Sequence, residues 1–296
     1  MKILILGGNG MIGHKVYQTL RIVYEDTWVL LRQNLKDLKY KELFDFEKVI
    51  DGIDLKEFDK LCRILDSLNP DIIINAAGIT IRRGVDLSIS NTITINSTLP
   101  HLLEEWICGK SGKRLIHFST DCVFSGKIGG YSESGIPDAA DYYGKTKALG
   151  EVTGSQSLTL RGSMIGRELA NHTELLEWFL SQKGKTVNGF KNVIYSGITT
   201  VKMADYVTKI ISDFPLMSGL YNVSSVPISK YDLLKLFNEN FEVRSEILIN
   251  EDYHSKKDLI SNKFYTETGF TIPEWKDLAI QLKEDSIINS KYYKQY

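Results

Sequence analysis

The sequence predicts an α/β protein whose core is a doubly wound parallel sheet with helices on both faces. Short apolar runs recur along the chain and are mostly continuous, as expected for strands that are buried on both faces. Longer segments with helical periodicity separate them, and this alternation is typical of βαβ units. The predicted strands are Ile3–Leu6, Trp28–Leu31, Leu43–Phe46, Ile72–Asn75, Leu115–Ser119, Leu158–Arg161 and Leu220–Val223.

The domain organisation is expected to follow from these strands. The predicted helices are Met11–Tyr24, Lys56–Leu68, Ser97–Cys108, Tyr142–Thr153, Glu174–Gln182, Val201–Ser212 and Ser229–Asn240. The alternation loosens after about residue 163, with one return to the sheet near 219–225. We therefore expect a sheet domain over residues 1–163, completed by that strand, and a smaller C-terminal substrate-binding lobe built from residues 164–218 and 226–296.

The composition points to a small-molecule ligand. The 296 residues are 43% hydrophobic, and 36 Lys and Arg stand against 37 Asp and Glu, so no strong field favours nucleic acid or a membrane as a partner. No apolar run reaches the length of a membrane span. Cys62, Cys108 and Cys122 are too few and too scattered for a disulfide framework or a zinc site. We expect a metal-free protein of the reducing cytoplasm.

A glycine loop directly follows the first predicted strand. Its glycines at 7, 10 and 13 have the spacing G-x-x-G-x-x-G and lead into an amphipathic helix. Gly7 permits a tight turn and Gly10 lets backbone N–H groups approach a pyrophosphate, which the start of the helix then faces. The alternative is a tight turn without a ligand. Its place between a clear strand and a helix favours a Rossmann dinucleotide site that includes Gly7, Gly10, Met11 and Ile12.

The second predicted strand ends with features that select the dinucleotide. An NAD site would carry an acidic residue there for the ribose 2′-hydroxyl, but this chain has Arg32. A guanidinium suits the 2′-phosphate of NADP, with Gln33 and Lys36 as supporters, although a solvated arginine is the plain alternative. We therefore expect NADP(H) rather than NAD(H). Asp54 and Leu55 either cap and anchor the next helix or contact the adenine.

A tyrosine and a lysine, Tyr143 and Lys147, are spaced so that they share one face of a predicted helix. The ordinary pKa of a phenol is about 10, so a tyrosine that exchanges protons near neutrality needs its pKa lowered. We expect the ammonium group of Lys147 to lower the pKa of Tyr143. A solvated helix face is the alternative, and spacing alone does not exclude it.

Hydroxyl groups at the end of the fifth predicted strand support the catalytic interpretation. Thr120, with Ser119 as second choice, lies at the carboxyl edge of the predicted sheet, where ligands bind. A hydroxyl there could hold a substrate carbonyl oxygen beside Tyr143, where negative charge develops as hydride arrives. The pattern thus predicts an oxidoreductase that reduces a carbonyl group.

Four blocks in this order resemble the extended short-chain dehydrogenase/reductase family, and within it the dTDP-4-dehydrorhamnose reductases. The blocks are Gly7–Gly13, Asn75–Gly78, Ser119–Phe124 and Tyr143–Glu151. The resemblance covers nearly the whole chain. It implies NADPH-dependent reduction of the 4-keto group of a nucleotide-linked 4-keto-6-deoxy sugar, for the synthesis of surface polysaccharide precursors.

The resemblance also implies residue roles. Tyr143 would be the general acid, Lys147 would bind the nicotinamide ribose, and Thr120 would polarise the ketone. Ala76 and Ala77 would pass under the cofactor. The resemblance allows a homodimer, since dimers are common in the family. Asn96 would have a structural or proton-relay role.

Two departures from the family bear on the sugar. The family usually carries an aromatic residue at Cys122 and a tryptophan where this chain has Met164. With Thr80 and Asp121, these residues are expected to line the substrate side of the site. Smaller side chains change the pocket volume and remove stacking surface, which favours a different 4-keto-6-deoxy sugar, such as an N-acetylated one.

Other readings of the same motifs remain open. Arg82 and Arg83 could reach a substrate diphosphate, but paired arginines on a loop are more often solvated. An epimerase or dehydratase would use the same Tyr and Lys, but a dehydratase would want an acidic pair where Asp121 stands alone. A non-enzymatic NADP-binding regulatory subunit is the third reading, and the intact Thr120, Tyr143 and Lys147 argue against it.

Overall fold

The computed structural model describes residues 1–80 and 88–296. Its strands are β1 (Ile3–Leu6), β2 (Thr27–Leu30), β3 (Val49–Ile50), β4 (Ile72–Asn75), β5 (Arg114–Ser119), β6 (Ser157–Arg161), β7 (Met164–Ile165), β8 (Thr186–Phe190), β9 (Val193–Tyr195), β10 (Ile198–Thr199), β11 (Gly219–Asn222), β12 (Ile228–Ser229), β13 (Glu246–Asn250) and β14 (Ser255–Lys256). The central sheet has the order β11-β6-β5-β4-β1-β2-β3, and all its strands are parallel.

Helices connect and cover the strands. They are α1 (Met11–Val23), α2 (Phe58–Leu68), α3 (Ile89–Ile93), α4 (Leu99–Ile107), α5 (Tyr142–Leu149), α6 (Leu175–Leu180), α7 (Thr200–Asp213), α8 (Lys230–Phe241), α9 (Asn262–Thr268) and α10 (Trp275–Ile288). A π-helical segment, Thr94–Thr98, joins α3 to α4. No helix in the part of the chain that the structure describes is long and apolar enough to cross a membrane.

Alternate residues of β1 point into two separate cores, which is why the strand is apolar throughout. Ile3 and Ile5 belong to the larger core with residues of α1, α7, α8 and α10. Leu4 and Leu6 belong to the smaller core with residues of α2 and α4. The predicted α/β class with a doubly wound parallel sheet is therefore confirmed.

The predicted third strand, Leu43–Phe46, is wrong. The segment forms two 3₁₀ turns, Lys41–Leu43 and Phe46–Lys48, and the third strand of the sheet is Val49–Ile50. The side chain of Asp45 accepts a hydrogen bond from the backbone of Glu47 and so caps the second turn. Leu43 and Phe44 are buried as anchors of a loop, and their apolar pattern resembles that of a strand.

The C-terminal part of the chain is more regular than its sequence pattern indicated. Beyond β6 it contains small paired strands, β10-β7, β12-β9-β14 and β13-β8, and the two helices α9 and α10, none of which the alternation pattern predicts. Strand β11 lies beside β6 at the edge of the central sheet. The division into a sheet domain and a substrate-binding lobe stays a prediction.

A buried ion pair joins the end of α5 to the end of β6. Arg161 is 1% exposed, and its Nε and Nη2 donate to Oε1 and Oε2 of Glu151 at 2.8 and 2.6 Å. Ser119 donates to the same carboxylate at 2.6 Å. Arg161 also donates to Asn222 of β11 at 3.4 Å, so that the guanidinium ties three elements together.

Removing one partner of this pair should destabilise the protein strongly. We expect Arg161→Met to lower the free energy of unfolding by about 3–5 kcal/mol, because Glu151 is left as a buried charge without its partner. Urea unfolding of the unsubstituted chain and the variant checks this, and a loss below about 1 kcal/mol, typical of an exposed pair, would contradict it.

Candidate active site

The candidate site is a cavity at the carboxyl ends of β1, β4, β5 and β6. It lies at the point where the strand order reverses between β1 and β4, which is the usual ligand position in doubly wound sheets. Eleven of the predicted site residues line this cavity. They are Gly10, Met11, Ile12, Ala76, Ala77, Thr80, Thr120, Cys122, Tyr143, Lys147 and Met164.

The glycine loop has the geometry of a dinucleotide cradle. Gly7 has φ +74°, and a Cβ on it would lie 2.8 Å from the backbone of Ala77. A Cβ on Gly13 would lie 2.2 Å from the carbonyl oxygen of Gly7, so α1 begins against the turn itself. Gly10 caps α1 without a side-chain hydrogen bond to its first N–H groups. These N–H groups fit a pyrophosphate, which they would bind together with the helix dipole.

The residues predicted to select the dinucleotide lie outside the cavity lining. Arg32 is exposed, two residues beyond the end of β2. Next to it, Gln33 accepts a hydrogen bond of 3.4 Å from Asn9 of the glycine loop. The contact of Arg32 with a 2′-phosphate stays a prediction.

Asp54 and Leu55 have different surroundings. Asp54 accepts the backbone N–H of Lys56 at 3.0 Å, and α2 begins only at Phe58, so the interpretation of Asp54 as the helix cap is wrong. Leu55 is buried in the smaller core. The predicted contact of both residues with an adenine remains untested.

Tyr143 lies in the first turn of α5, where Asp141 caps the helix by accepting the N–H of Gly144 at 2.8 Å. Burial raises the pKa of Tyr143 above its ordinary value, and a hydrogen bond with Thr120 opposes the rise. The expected lowering by Lys147 is therefore wrong in its net direction. The lysine nitrogen contacts strand β5. Burial is the largest cause of the rise in the pKa of Tyr143, and the charges of Asp121 and Glu174 act in the same direction.

Lys147 is 5% exposed and points at the end of β5. Its Nζ donates to the carbonyl oxygen of Phe118 at 2.6 Å and lies 3.4 Å from Nε2 of His117. Burial lowers the pKa of Lys147 to about 8, and the carboxylate of Glu151 acts against this shift. A cationic group whose charge changes near neutrality thus lines the cavity beside Tyr143.

Ser119 and Thr120, the two hydroxyl residues at the end of β5, make different hydrogen bonds. Thr120 lines the cavity and accepts the N–H of Cys122 at 3.2 Å, while it donates to Asp121 at 3.3 Å. Ser119 donates to Glu151, away from Tyr143, which favours Thr120 over the second choice. Asp121 is 3% exposed and lies outside the cavity lining, and burial raises its pKa.

Cys122 faces the cavity close to a lysine that the sequence did not single out. Burial, followed by the charge of Asp121, raises the pKa of the Cys122 thiol to about 12. Lys257 lies near both residues. Burial lowers the pKa of Lys257, but the interactions with Cys122 and Asp121 outweigh burial, so that its pKa is raised. The thiol is therefore protonated near neutrality and acts as a small apolar wall. Met164, in β7, lines the same cavity.

The C-terminal part of the chain contributes cavity residues that sequence reasoning missed. Lys230 begins α8, and its Nζ lies 3.5 Å from the ring centroid of Tyr195. Glu168 accepts the N–H groups of Thr173 and Glu174 at 2.7 and 2.8 Å. All except Thr173 line the cavity. No local pattern marks them, because they are brought to the sheet by tertiary packing.

Two acidic residues, Glu168 and Glu174, line the cavity together with Thr80, which is predicted to lie on its substrate side. Thr80 donates to Glu174 at 3.3 Å.

Asn96 is fully buried, and its side chain binds both the N–H and the C=O of Ile79 at 2.8 and 2.9 Å and donates to Thr146. Of its two expected roles, these contacts favour the structural one, since they tie the loop after β4 to α5. Arg82 and Arg83 lie outside the described residues.

A buried histidine connects the glycine loop to the end of the chain. Nδ1 of His14 lies 2.8 Å from the carbonyl oxygen of Gly10, and Nε2 lies 3.1 Å from the hydroxyl of Tyr293. Burial lowers the pKa of His14 to about 3, so the ring is neutral and donates at Nδ1 while it accepts from Tyr293. Lys15 forms a second tie, an ion pair of 2.7 Å with Asp285 of α10.

Within residues 1–80 and 88–296, no group of three or more His, Cys, Asp or Glu side chains could hold a metal ion.

The geometry defines a class of protein: a doubly wound fold with a glycine cradle, and a Thr, a Tyr and a Lys gathered at the carboxyl edge of the sheet. This is the arrangement of a dinucleotide-dependent oxidoreductase.

Comparisons with known proteins agree with that class. A family model described as RmlD substrate binding domain matches residues 1–246, and the chain belongs to this family. The dTDP-4-dehydrorhamnose reductase of Aggregatibacter actinomycetemcomitans is 28% identical over 251 residues, 80% of this chain and 79% of the relative. The spore coat polysaccharide biosynthesis protein SpsK of Bacillus subtilis is 26% identical over 292 residues, 93% and 94% of the two chains.

A solved structure matches the fold over almost its whole length. The dTDP-4-dehydrorhamnose reductase of Bacillus anthracis, in complex with NADP, has a TM-score of 0.77 at 18% identity and covers 96% of this chain and 99% of its own. The family expected from the four sequence blocks and the expected class, an oxidoreductase of the extended short-chain dehydrogenase/reductase type, are therefore confirmed.

His14 joins the Gly10 carbonyl to the Tyr293 hydroxyl, and this connection predicts a long-range effect on dinucleotide binding. We expect Tyr293→Phe to weaken NADPH binding about fivefold, because the ring that holds the Gly10 carbonyl loses one of its two hydrogen bonds. Tyr296→Phe is the matched control: its hydroxyl donates to Glu177 at 2.8 Å and does not contact the loop. Fluorescence titration with NADPH checks this, and equal effects of the two variants would contradict it.

Proposed function

We propose that this chain uses NADPH to reduce the 4-keto group of a nucleotide-linked 4-keto-6-deoxy sugar, a step in making precursors of surface polysaccharides. The observation that carries the proposal is the meeting of Thr120, Tyr143 and Lys147 with the glycine loop in one cavity. The names of the relatives support the substrate class.

The residues that would hold NADPH lie on the β1 side of the cavity. The N–H groups at the start of α1, beside Gly10, Met11 and Ile12, fit the pyrophosphate, and Ala76 would lie under the nicotinamide end. Arg32 would bind the 2′-phosphate. When bound, the cofactor supplies a hydride at the ketone carbon. The NADP complex of the Bacillus anthracis relative supports this choice of cofactor.

Proton delivery is assigned to Tyr143. Its raised pKa keeps the phenol protonated throughout the neutral range, so the proton is available when hydride reaches the carbonyl carbon. The phenol O–H transfers its proton to the carbonyl oxygen, and the ketone becomes an alcohol. The ammonium of Lys147 stabilises the phenolate left behind, and the hydroxyl of Thr120 donates to the carbonyl oxygen as charge builds on it.

The sugar would lie between the strand ends and the C-terminal part of the chain. Cys122 and Met164 form a wall without aromatic rings, so that the pocket has room beside the sugar that stacking rings would fill. Thr80 and the acidic Glu174 lie on the same side and offer acceptors for hydroxyl or amide N–H groups. This supports a sugar that carries an N-acetyl group over an unsubstituted one.

A screen of 4-keto-6-deoxy sugar nucleotides, with NADPH consumption as the readout, tests the function. We expect at least one substrate to be reduced, and Tyr143→Phe to lower kcat by about 10²–10⁴-fold because it lacks the acid proton. Tyr142→Phe, on the exposed neighbouring residue, is the matched control. If NADPH binds but no sugar in the panel is reduced, a non-enzymatic role replaces this proposal.

The charge of Lys147 predicts an alkaline limit to the activity. The lowered pKa means that the ammonium is present below about pH 8 and is lost as pH rises through that value, while Tyr143 stays protonated. We expect kcat/KM to fall by about tenfold per pH unit above that point. Lys147→Arg keeps its charge, so its residual activity should lack this fall. A fall at the same pH in Lys147→Arg would contradict the assignment to Lys147.

A further inference from the structure

The wall of the cavity contains a buried carboxylate, that of Glu168. Two acidic residues line the cavity, and of these Glu174 is half-buried whereas Glu168 is only 3% exposed. Glu168 lies three positions beyond the end of β7. Because a charged side chain is rarely buried without partners, the contacts of each of its oxygens show what the residue does.

Only one of the two carboxylate oxygens of Glu168 is occupied. Its Oε2 accepts the backbone N–H groups of Thr173 and Glu174, just before α6, at 2.7 and 2.8 Å. Nowhere in the described parts of the chain does a group donate a hydrogen bond to Oε1. A carboxylate oxygen has two lone pairs and forms strong hydrogen bonds with N–H and O–H groups. Oε1 is therefore the atom that is left for a ligand in the cavity.

The main chain around Glu168 is held in place, so the carboxylate cannot easily turn away. The N–H of Glu168 donates to Oε1 of Glu177 at 3.0 Å, and Glu177 is fully buried in α6 and also binds Arg167 at 2.7 Å. A Cβ on Gly166 would lie 2.1 Å from the hydroxyl oxygen of Thr200 in α7. The acceptor is thus preorganised, and a ligand that uses it loses little free energy in ordering it.

The surroundings of Glu168 favour a ligand that brings a hydrogen-bond donor. Burial raises the pKa of Glu168, the backbone hydrogen bonds from Glu174 and Thr173 act against this rise, and the charges of Glu174 and Glu177 add to it. A further donor at Oε1 would stabilise the charged form. A ligand without a donor would leave this oxygen desolvated and unpaired, and such a ligand is bound more weakly.

We propose that Glu168 is a specificity-determining residue: its Oε1 accepts a hydrogen bond from a hydroxyl or amide N–H group of the sugar, and sugars without that donor are excluded. The identity of the ligand as a nucleotide-linked sugar rests on the proposed function. A purely structural role is the competing explanation, because the same carboxylate also holds the main chain before α6.

Glu168→Gln separates the two roles, because it keeps the size of the side chain. The amide oxygen has to face the N–H groups of Thr173 and Glu174, since an amide nitrogen cannot accept from them. The amide nitrogen then lies where Oε1 was, and the cavity has a donor in place of an acceptor. Glu267→Gln is the matched control, because Glu267 accepts from Tyr221 at 2.6 Å and does not line the cavity.

The ligands are nucleoside diphosphate 6-deoxy sugars in pairs that differ by one donor. One pair has hydroxyl or hydrogen at C2, a second has hydroxyl or hydrogen at C3, and a third has acetamido or N-methylacetamido at C2. All carry a 4-hydroxyl group and are added to the NADPH complex, where no reaction occurs because both partners are reduced. Calorimetry gives each affinity, and thermal unfolding is measured on each variant.

For one pair, we expect removal of the donor to lower the affinity of the unsubstituted chain and of Glu267→Gln about 30-fold. In Glu168→Gln the same pair should differ by less than about threefold, because the acceptor is gone. The pair that behaves in this way shows whether the donor is a hydroxyl or an amide N–H. Equal ratios in Glu168→Gln and the unsubstituted chain for every pair, or an equal loss for all sugars that follows a loss of thermal stability, overturn the proposal.

Failure of the proposed function looks different from failure of this proposal. If the sugars bind and one pair shows the expected coupling, but no 4-keto sugar is reduced, only the proposed reaction fails. If a 4-keto sugar is reduced and no pair shows the coupling, only the role of Glu168 fails. If no nucleotide-linked sugar binds to the NADPH complex, both are overturned.

Discussion

The candidate site depends on a close contact between α5 and the backbone beneath it. A Cβ on Gly144 would lie 2.1 Å from the carbonyl oxygen of Cys122, and one on Gly150 would lie 1.9 Å from that of Asn96. The helix thus rests on main chain at both ends, and any larger residue at either glycine would push it outward. This contact brings Tyr143 to the hydroxyl of Thr120. One turn later, it presses Lys147 against the end of β5.

Burying the ammonium group of Lys147 costs desolvation free energy, which the surrounding groups offset together. The Phe118 carbonyl accepts one of its N–H groups, and Glu151 supplies the compensating charge. That carboxylate also binds Arg161, which reaches Asn222 in β11. Since β11 follows a long excursion from the sheet, its return supplies an acceptor for the guanidinium that pairs with the carboxylate near Lys147. Fold completion and the state of the site are linked through one buried network.

Local patterns predicted the parts of the structure that are built locally. The glycine loop after β1 and the Tyr143–Lys147 spacing were visible because their geometry spans only a few residues. The predicted strand at Leu43–Phe46 was wrong because loop anchors and buried strands share an apolar pattern. The spacing also predicted that Lys147 lies near Tyr143. It gave no sign of the burial that raises the pKa of the phenol. His14 and Tyr293 are 279 positions apart, and no sequence pattern joins them.

The two halves of the site have separate physical origins. The groups proposed to react lie on α5 and at the strand ends, where backbone contacts hold them. The groups that would meet the sugar come from loops and from the C-terminal part of the chain, such as Met164, Glu174 and Lys230. A change of the Met164 side chain alters the volume of the pocket from β7, whereas Cys122 also lies beside Asp121 and carries the carbonyl on which α5 rests. The proposed proton-delivery geometry would therefore serve different sugars, and the identity of the sugar would depend on side chains that the fold leaves free to vary.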